Sequence, residues 1–146
     1  MESLAANLLR KARIEVSPEV FNLASVSHQL WDEILSRPEL SPRMTAPFGL
    51  LRDRHEVTLL LDDTDFATIR DAIKEAKIER GFRILTFDIK LEFSVVGFVA
   101  EVTKILAEAE IPIVVFSAFS RDHILVKQAN LGPALKALSP FVSELC

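Results

Sequence analysis

The segment from Phe93 to Lys127 constrains the fold most, because it contains three elements with different periodicities. After Ser94, apolar residues recur every three to four positions, which predicts an amphipathic helix. The residues on that face are Val95, Val96, Phe98, Val99, Val102, Ile105, Leu106 and Ala109. Ile111–Ser117 is short, apolar and rich in β-branched residues, which favours a buried strand. A polar turn and a second strand at 123–126 follow, so the segment reads as half of a split βαβ motif.

Composition limits the class of protein. With 146 residues, 49% of them hydrophobic, the chain can form one ordinary domain or two very small ones. Its formal charge is −4 and it has no long Lys/Arg cluster, which argues against nucleic acid as a partner. No apolar run reaches the roughly 20 residues of a membrane span, and no signal peptide is recognisable. The single cysteine, Cys146, cannot form an internal disulfide. These features predict a cytoplasmic protein.

The rest of the chain also shows alternating helical and extended patterns. The predicted elements of the first third are a helix over 1–12, an extended stretch over 13–26 broken at Pro18, and a helix from the capping residue Ser27 to Ser36. Hairpin strands at 48–51 and 56–61 follow, and then a helix that is capped by Thr64 or Asp65 and ends near Ala76. The remaining elements are a polar junction at 79–81, a strand at 82–89, and a last helix that begins at Asn130–Leu131. The three prolines between 38 and 47 predict an irregular connection.

The two halves of the chain form a weak internal repeat with an offset of 65. Leu59–Leu61 aligns with Ile124–Val126 at this offset, and the order strand, helix, strand, strand, helix occurs in each half. A unit of this size buries little of its own surface, so two paired units are more stable than one. The sequence therefore predicts an N-terminal helix at 1–12, one module at 13–78 and a second module at 79–146.

Residues 79–138 contain a set of motifs that occur together in one family. They are ERGFRIL, FSVVGFVAEVTKILAEAEIPI and FSAFSRDHILVK, with Phe-Ser before the helix, Gly97 in its first turn and an Asp-His-x-Leu-Val strand. In these features the segment resembles ACT domains of the CASTOR type, which are related to the regulatory ACT domains of aspartate kinase. The N-terminal half resembles a divergent partner module. The resemblance implies an α/β fold of tandem ferredoxin-like modules, with βαββα repeats and antiparallel sheets covered by helices.

The resemblance also implies a regulatory protein that binds an amino acid at an interface between ACT modules. By position, the ligand-binding residues are Ser94, Val95, Val96 and Gly97 at the helix opening, together with Asp122. Helix N-terminal N–H groups suit a carboxylate, and Gly97 allows a close approach. Asp122 suits an ammonium or guanidinium group. The expected state is a homodimer, because two modules leave sheet edges or faces to cover, with a regulatory protein as a further partner.

Other interpretations of the same residues remain open. Relatives that sense arginine carry acidic side chains where this chain has Ser94, Val95 and Val96, so arginine is not the expected ligand. Gly97 could instead permit close helix–sheet packing, and Asp122 could cap its own turn. Ser94 could be a plain N-cap. The alternative function is a protein-interaction or dimerisation module that binds no small ligand.

Catalytic and metal-binding patterns are not found in the sequence. His28, His55 and His123 lie in different predicted elements, without the spacing of a helical metal site. The acidic residues between 62 and 65 lack the ligand spacing of a calcium loop, and helix capping with dipole complementarity explains them better. There is no G-x-S-x-G, C-x-x-C or glycine-rich phosphate loop. The sequence therefore predicts no enzyme, no metal site and no cofactor.

Overall fold

The computed structural model describes residues 3–43 and 45–146 of the chain. Its helices are α1 (Leu4–Lys11), α2 (His28–Leu35), α3 (Asp63–Ile69), α4 (Phe98–Glu108) and α5 (Leu131–Leu138). Its strands are β1 (Arg13–Val16), β2 (Phe21–Val26), β3 (Gly49–Arg52), β4 (Val57–Asp62), β5 (Lys77–Asp88), β6 (Val114–Ser117), β7 (Asp122–Lys127) and β8 (Glu144–Leu145). The predicted α/β class is confirmed. Within the described residues, no helix combines the length and the apolar character that a bilayer crossing requires.

The chain forms two compact units. Unit 1 contains the described residues up to Pro18 and Phe82–Cys146, and unit 2 contains Glu19–Gly81. The sequence instead predicted a boundary after residue 78 and assigned β1 to the N-terminal module. The difference has a physical cause, because β1 pairs antiparallel with β5 in the register Arg13↔Asp88. Strand β1 therefore completes the sheet of the C-terminal part of the chain.

The sheet of unit 1 has the strand order β8-β1-β5-β7-β6. Strand β8 runs parallel to β1, and the other neighbours are antiparallel. Side chains alternate between the two faces of β5. Leu85 and Phe87 are fully buried in the core beneath the helices, whereas Thr86 and Asp88 are half-buried on the opposite face. The two faces of this sheet therefore differ in chemistry.

Helices α1, α4 and α5 share the hydrophobic core of unit 1. Ala5 and Leu9 of α1 are buried there with Val102 and Leu106 of α4 and Leu138 of α5. The predicted N-terminal helix thus packs onto its own unit rather than leaving its apolar face for a partner. The first two positions of that prediction lie outside the described residues.

The sheet of unit 2 has the order β3-β4-β2. Its strands pair antiparallel, and Leu50↔Leu59 and Leu23↔Leu60 give the register. Helices α2 and α3 cover the face that carries Leu59 and Leu61, where Ile34 and Phe66 complete the core. The hairpin predicted from sequence is confirmed. Ser27 caps α2 as predicted, since its Oγ accepts a hydrogen bond of 3.1 Å from the N–H of Leu30.

Several predicted boundaries are wrong, each for a local reason. Helix α3 is capped by Asp62, not by Thr64 or Asp65, and it tightens into a 3-10 helix over Arg70–Ile73. The predicted polar junction at 79–81 lies inside β5, which continues through Gly81 although this glycine has a φ of 84°. Strand β6 begins at Val114, later than predicted. The short strand β8 was not predicted, because two residues carry no readable periodicity.

Candidate functional site

Helix α4 opens at a glycine whose backbone conformation residues with a side chain rarely adopt. Gly97 is the N-cap, with φ 88° and ψ 7° in the left-handed region. A Cβ added at Gly97 would meet the Cβ of Ala5 at 3.9 Å, an ordinary van der Waals distance. Backbone conformation therefore explains this glycine. Close packing, the alternative interpretation of Gly97, does not.

The first turn of α4 has no side-chain cap. Gly97 cannot supply a capping oxygen, and within the described part of the chain no side chain caps this end of the helix. Ser94 lies in the preceding turn, so its interpretation as the N-cap is wrong. The N–H of Val95 donates to the carbonyl of Glu92 at 3.0 Å, and Val96 is 85% exposed. The segment 94–97 therefore leads up to a set of helix N–H groups that lack side-chain partners.

Asp122 lies at the start of β7, opposite Ser117 across the β6–β7 hairpin. The N–H of Leu91 donates to the carbonyl of Ser120 at 2.8 Å, which joins the segment before α4 to the hairpin turn. As far as the described residues show, the side chain of Asp122 makes no hydrogen bond or ion pair with residues 94–97 or with its own turn. That turn is closed by the backbone, where the N–H of Ala118 donates to the carbonyl of Arg121. Asp122 is half-buried, and its carboxylate does not cap the turn.

A charged cluster that the sequence did not predict lies beside Asp122. The carboxylate of Asp88 accepts a hydrogen bond of 2.9 Å from Nε of Arg121 and one of 3.3 Å from Arg13. The hydrogen bond from Arg121 is the main reason why the pKa of Asp88 lies below its usual value. Arg121 directly precedes Asp122, so the motif already contained it. Its partner is 33 positions away, and only the strand register identifies it.

His123 is half-buried and lies opposite Thr86, on the same face of the sheet as Asp88. Its Nδ1 and the Oγ1 of Thr86 are 2.8 Å apart. Burial lowers the pKa of His123, and the nearby charge of Arg121 lowers it further, whereas the carboxylates of Asp122 and Glu15 oppose the shift. The imidazole is therefore kept neutral in the folded protein at pH values where a free histidine already takes up a proton.

We expect this histidine to make stability depend on pH. Below the ordinary pKa of 6.5 the unfolded chain binds a proton that the folded chain binds only at lower pH. The free energy of unfolding therefore falls as the pH drops through this window. His123→Gln should make that fall less steep, as measured by urea denaturation between pH 7.5 and 5. His55→Gln, at an exposed position, controls for the loss of one imidazole. An unchanged slope in His123→Gln would contradict the expectation.

The acidic residues before and within α3 are held by basic partners and by the helix. Asp62 caps α3 by accepting the N–H of Asp65 at 2.8 Å. The guanidinium of Arg43 bonds to both Asp62 and Asp65, and Arg80 lies 3.4 Å from Asp63. Among the described residues, no three His, Cys, Asp or Glu side chains converge as a metal site would require. Helix capping therefore explains these acidic residues, as predicted, but the capping residue is Asp62 and not Thr64 or Asp65.

Comparisons with known proteins agree with this fold. The sequence model of the ACT domain family matches residues 77–140. A protein from Agobacterium tumefaciens is similar in structure, with a TM-score of 0.69 and 19% identity over 93% of this chain and 92% of that one. The ligand-free regulatory subunit of aspartate kinase from Thermus thermophilus gives a TM-score of 0.61 and 10% identity over 91% of this chain and 98% of that one.

A longer protein contains the same arrangement as one of its parts. For the aspartate kinase of Clostridium acetobutylicum the TM-score is 0.66 and the identity is 14%, over 88% of this chain but 34% of the kinase chain. No curated protein sequence matches this chain. Identities this low show a common fold, whereas the family model identifies a sequence pattern. Residues 77–140 of this chain therefore match the ACT domain family in sequence.

Proposed function

We propose that this chain is a regulatory protein that binds an amino acid at the opening of α4. The observation that carries the proposal is the uncapped helix N-terminus at Gly97, which lies inside the part of the chain that matches the ACT family. N–H groups at such an end carry partial positive charge and suit a carboxylate. The regulatory subunits of aspartate kinase that share the fold support a regulatory role rather than a catalytic one.

The surrounding residues suggest which amino acids fit. The ligand carboxylate would accept hydrogen bonds from the first turn of α4, and Asp122 would receive the ammonium group across the hairpin. Val95 and Val96 offer apolar surface where a basic side chain would need an acidic partner. The proposed effector is therefore a small or apolar amino acid and not arginine, within a site of the CASTOR type.

The proposed signal is a change in how ACT modules are arranged. Phe93 and Phe119 are fully exposed, and Val96 is 85% exposed. These apolar side chains lie in the segment before α4 and in the hairpin turn, close in sequence to the proposed site residues 94–97 and 122. A second copy of the chain would cover them and close the site. A ligand that binds the closed pair better than the open monomer then shifts the population towards the dimer.

Calorimetry with each of the twenty amino acids tests the ligand. We expect at least one apolar amino acid to bind, and Asp122→Asn to weaken that binding by about tenfold or more, because a hydrogen bond between two charged groups is replaced. Asp71→Asn, an exposed acid of unit 2, is the matched control and should bind as the unmodified protein does. Failure of all twenty to bind a folded sample would count against the proposal.

The second candidate function is a dimerisation or docking module without a small ligand. The exposure of Phe93 and Phe119 favours it, because such side chains are common at protein interfaces. Sedimentation velocity separates the two functions. A sensor should dimerise more strongly when its amino acid is added, whereas a docking module should give the same distribution with and without each amino acid.

A further inference from the structure

An apolar pocket lies at the outer edge of the sheet of unit 2. Its inner wall consists of the buried side chains of Ile34, Leu59 and Leu61, and its outer wall includes Leu35 of α2 and Leu50 of β3. Leu35 is 63% exposed and Leu50 is 45% exposed, so the pocket opens to solvent between α2 and β3. Its volume is about 100 Å³. Because an apolar cavity of about 150 Å³ holds benzene, this pocket has room for about four carbon atoms.

Strand β3 is the open edge of this sheet. Its only strand neighbour among the described residues is β4. In the hairpin that joins the two strands, the N–H of Asp53 donates to the carbonyl of Glu56 at 3.0 Å. Backbone groups alternate in direction along an antiparallel strand, so Leu51 also bonds to β4. The N–H and C=O groups of Leu50 and Arg52 therefore point away from β4, where they form a template for a further strand.

The open edge and the pocket lie on the path of one extended segment. Side chains alternate between the two faces of a strand, and Phe48 and Leu50 line the pocket whereas Leu51 does not. Paired residues of neighbouring strands point to the same face of the sheet. A residue that bonded to the backbone of Leu50 would therefore direct its side chain to the face on which the pocket opens.

We propose that β3 binds an extended segment of a partner protein, which adds a strand to the sheet and places a leucine-sized side chain in the pocket. The segment runs antiparallel to β3, as the neighbouring strands of unit 2 do to one another. Its backbone bonds to Leu50 supply affinity, and the pocket supplies specificity. An acidic residue two positions before the apolar one would face Arg52, whose side chain is 45% exposed. The pocket is formed by residues of unit 2 alone.

A second copy of the chain fits this edge less well, because β3 carries a charge on the face of the pocket. The guanidinium of Arg52 lies 3.4 Å from Asp32 of α2, on the helix-covered face. If two copies paired with Leu50 opposite Leu50, Arg52 of the second copy would lie opposite Phe48, which lines the pocket. A shift that paired Leu50 with Arg52 would bring the guanidinium still closer. Both registers cost part of the hydration of a charged group, which an apolar residue avoids.

Trp31 reports occupancy of the pocket, because it lies in the wall and is the only tryptophan of the chain. The probe is a blocked peptide of sequence Lys-Glu-Thr-Leu-Thr-Val-Lys, whose leucine would lie opposite Leu50 and whose glutamate opposite Arg52. We expect a saturable change in fluorescence, and binding at least tenfold weaker when serine replaces the leucine of the peptide. No saturable change, or equal affinity of the two peptides, would overturn the proposal.

Methylation of single peptide nitrogens tests whether a strand is added. A methyl group on the leucine nitrogen removes the N–H that would donate to the carbonyl of Leu50, and should weaken binding at least tenfold. The nitrogen of the next threonine points away from β3, so the same methyl group there should change the affinity less than threefold. Equal effects at the two nitrogens would mean that the peptide does not pair with the edge, and the proposal would then be wrong.

Two variants with the same change locate the binding on the protein. Leu35→Lys places an ammonium group at the mouth of the pocket and should weaken peptide binding at least tenfold. Leu4→Lys makes this change in α1 of unit 1, at a position that is 64% exposed, and should bind as the unmodified protein does. Circular dichroism establishes that both variants are folded. Unchanged affinity in folded Leu35→Lys would contradict the assignment to this pocket. The peptide comparisons use the unmodified protein, so they decide the matter if a variant does not fold.

Sedimentation velocity of the same variants tests the competing occupant. We expect Leu35→Lys and Leu4→Lys to give the same distribution of monomer and dimer as the unmodified protein. If Leu35→Lys alone converted a dimer into a monomer, a second copy would occupy the edge of β3, and the proposed partner segment would be excluded from it.

Discussion

Replacing Phe87 by alanine should lower the free energy of unfolding by about 4 kcal/mol. Phe87 is fully buried on the helix-covered face of β5. Its ring meets that of Phe98 edge to face, with centroids 5.8 Å apart and an interplanar angle of 83°. The substitution removes this aromatic contact and leaves a cavity between β5 and α4, so the lost transfer free energy and the cavity term add.

Urea denaturation followed by far-UV circular dichroism measures this loss. Phe119→Ala is the matched control, because the same atoms are removed from a fully exposed ring, and it should change stability by no more than about 0.5 kcal/mol. If Phe87→Ala does not fold, Phe87→Leu offers a milder change, with an expected loss of about 1.5 kcal/mol. A loss below about 1.5 kcal/mol for a folded Phe87→Ala would contradict the packing described for unit 1.

The centre of α4 could be predicted from its sequence, but its beginning could not. Apolar spacing identified Val102 and Leu106, and both are buried. The same spacing continues backwards through Val95 and Val96, so the helix was predicted to start at Ser94. Val96 is 85% exposed, and the left-handed backbone of Gly97 makes it the N-cap, so the helix begins only at Phe98. Periodicity reports side chains that suit one face, and it contains no information on the backbone conformation that stops a helix.

Pairing between distant strands was the part of the fold that local patterns could not show. The predicted modules divide the chain in sequence order, whereas β1 pairs with β5 across 75 positions, as the contact of Arg13 with Asp88 shows. The four residues of β1 carry the same extended pattern whichever strand they join. The cluster of Arg13, Asp88 and Arg121 depends on this pairing, and so it could not be predicted either.

The buried carboxylates of unit 2 were recognised as a helix start, but their counterion was not. Arg43 lies 22 positions before Asp65, in the proline-rich connection that was predicted only to be irregular. An irregular segment has no periodicity from which the direction of a side chain could be inferred. The sequence therefore predicted the role of the acidic residues but missed Arg43, whose positive charge offsets one of the two carboxylates.

Arg43→Ala should lower the free energy of unfolding clearly more than the loss of an exposed ion pair does. The side chains of Asp62 and Asp65 are 5% and 2% exposed, and both would lose their counterion. Breaking a buried ion pair from one side costs about 3–5 kcal/mol, because the remaining charge stays buried. Arg43 itself is 42% exposed, so water can enter part of the vacated space, and the loss should be smaller than for a pair that is buried on both sides.

Arg37→Ala is the control, since Arg37 pairs with Glu39 at 2.9 Å but both side chains are more than half exposed. Exposed pairs contribute about 0–1 kcal/mol, so this variant should lose far less stability. Arg43→Lys should fall between the two, because an ammonium cannot reproduce the two-sided contact of a guanidinium. Combining Arg43→Ala with Asp65→Asn removes one of the stranded charges, and should recover part of the loss. If the double variant were as unstable as the sum of the single changes, the loss in Arg43→Ala could not come from an unpaired buried charge at Asp65.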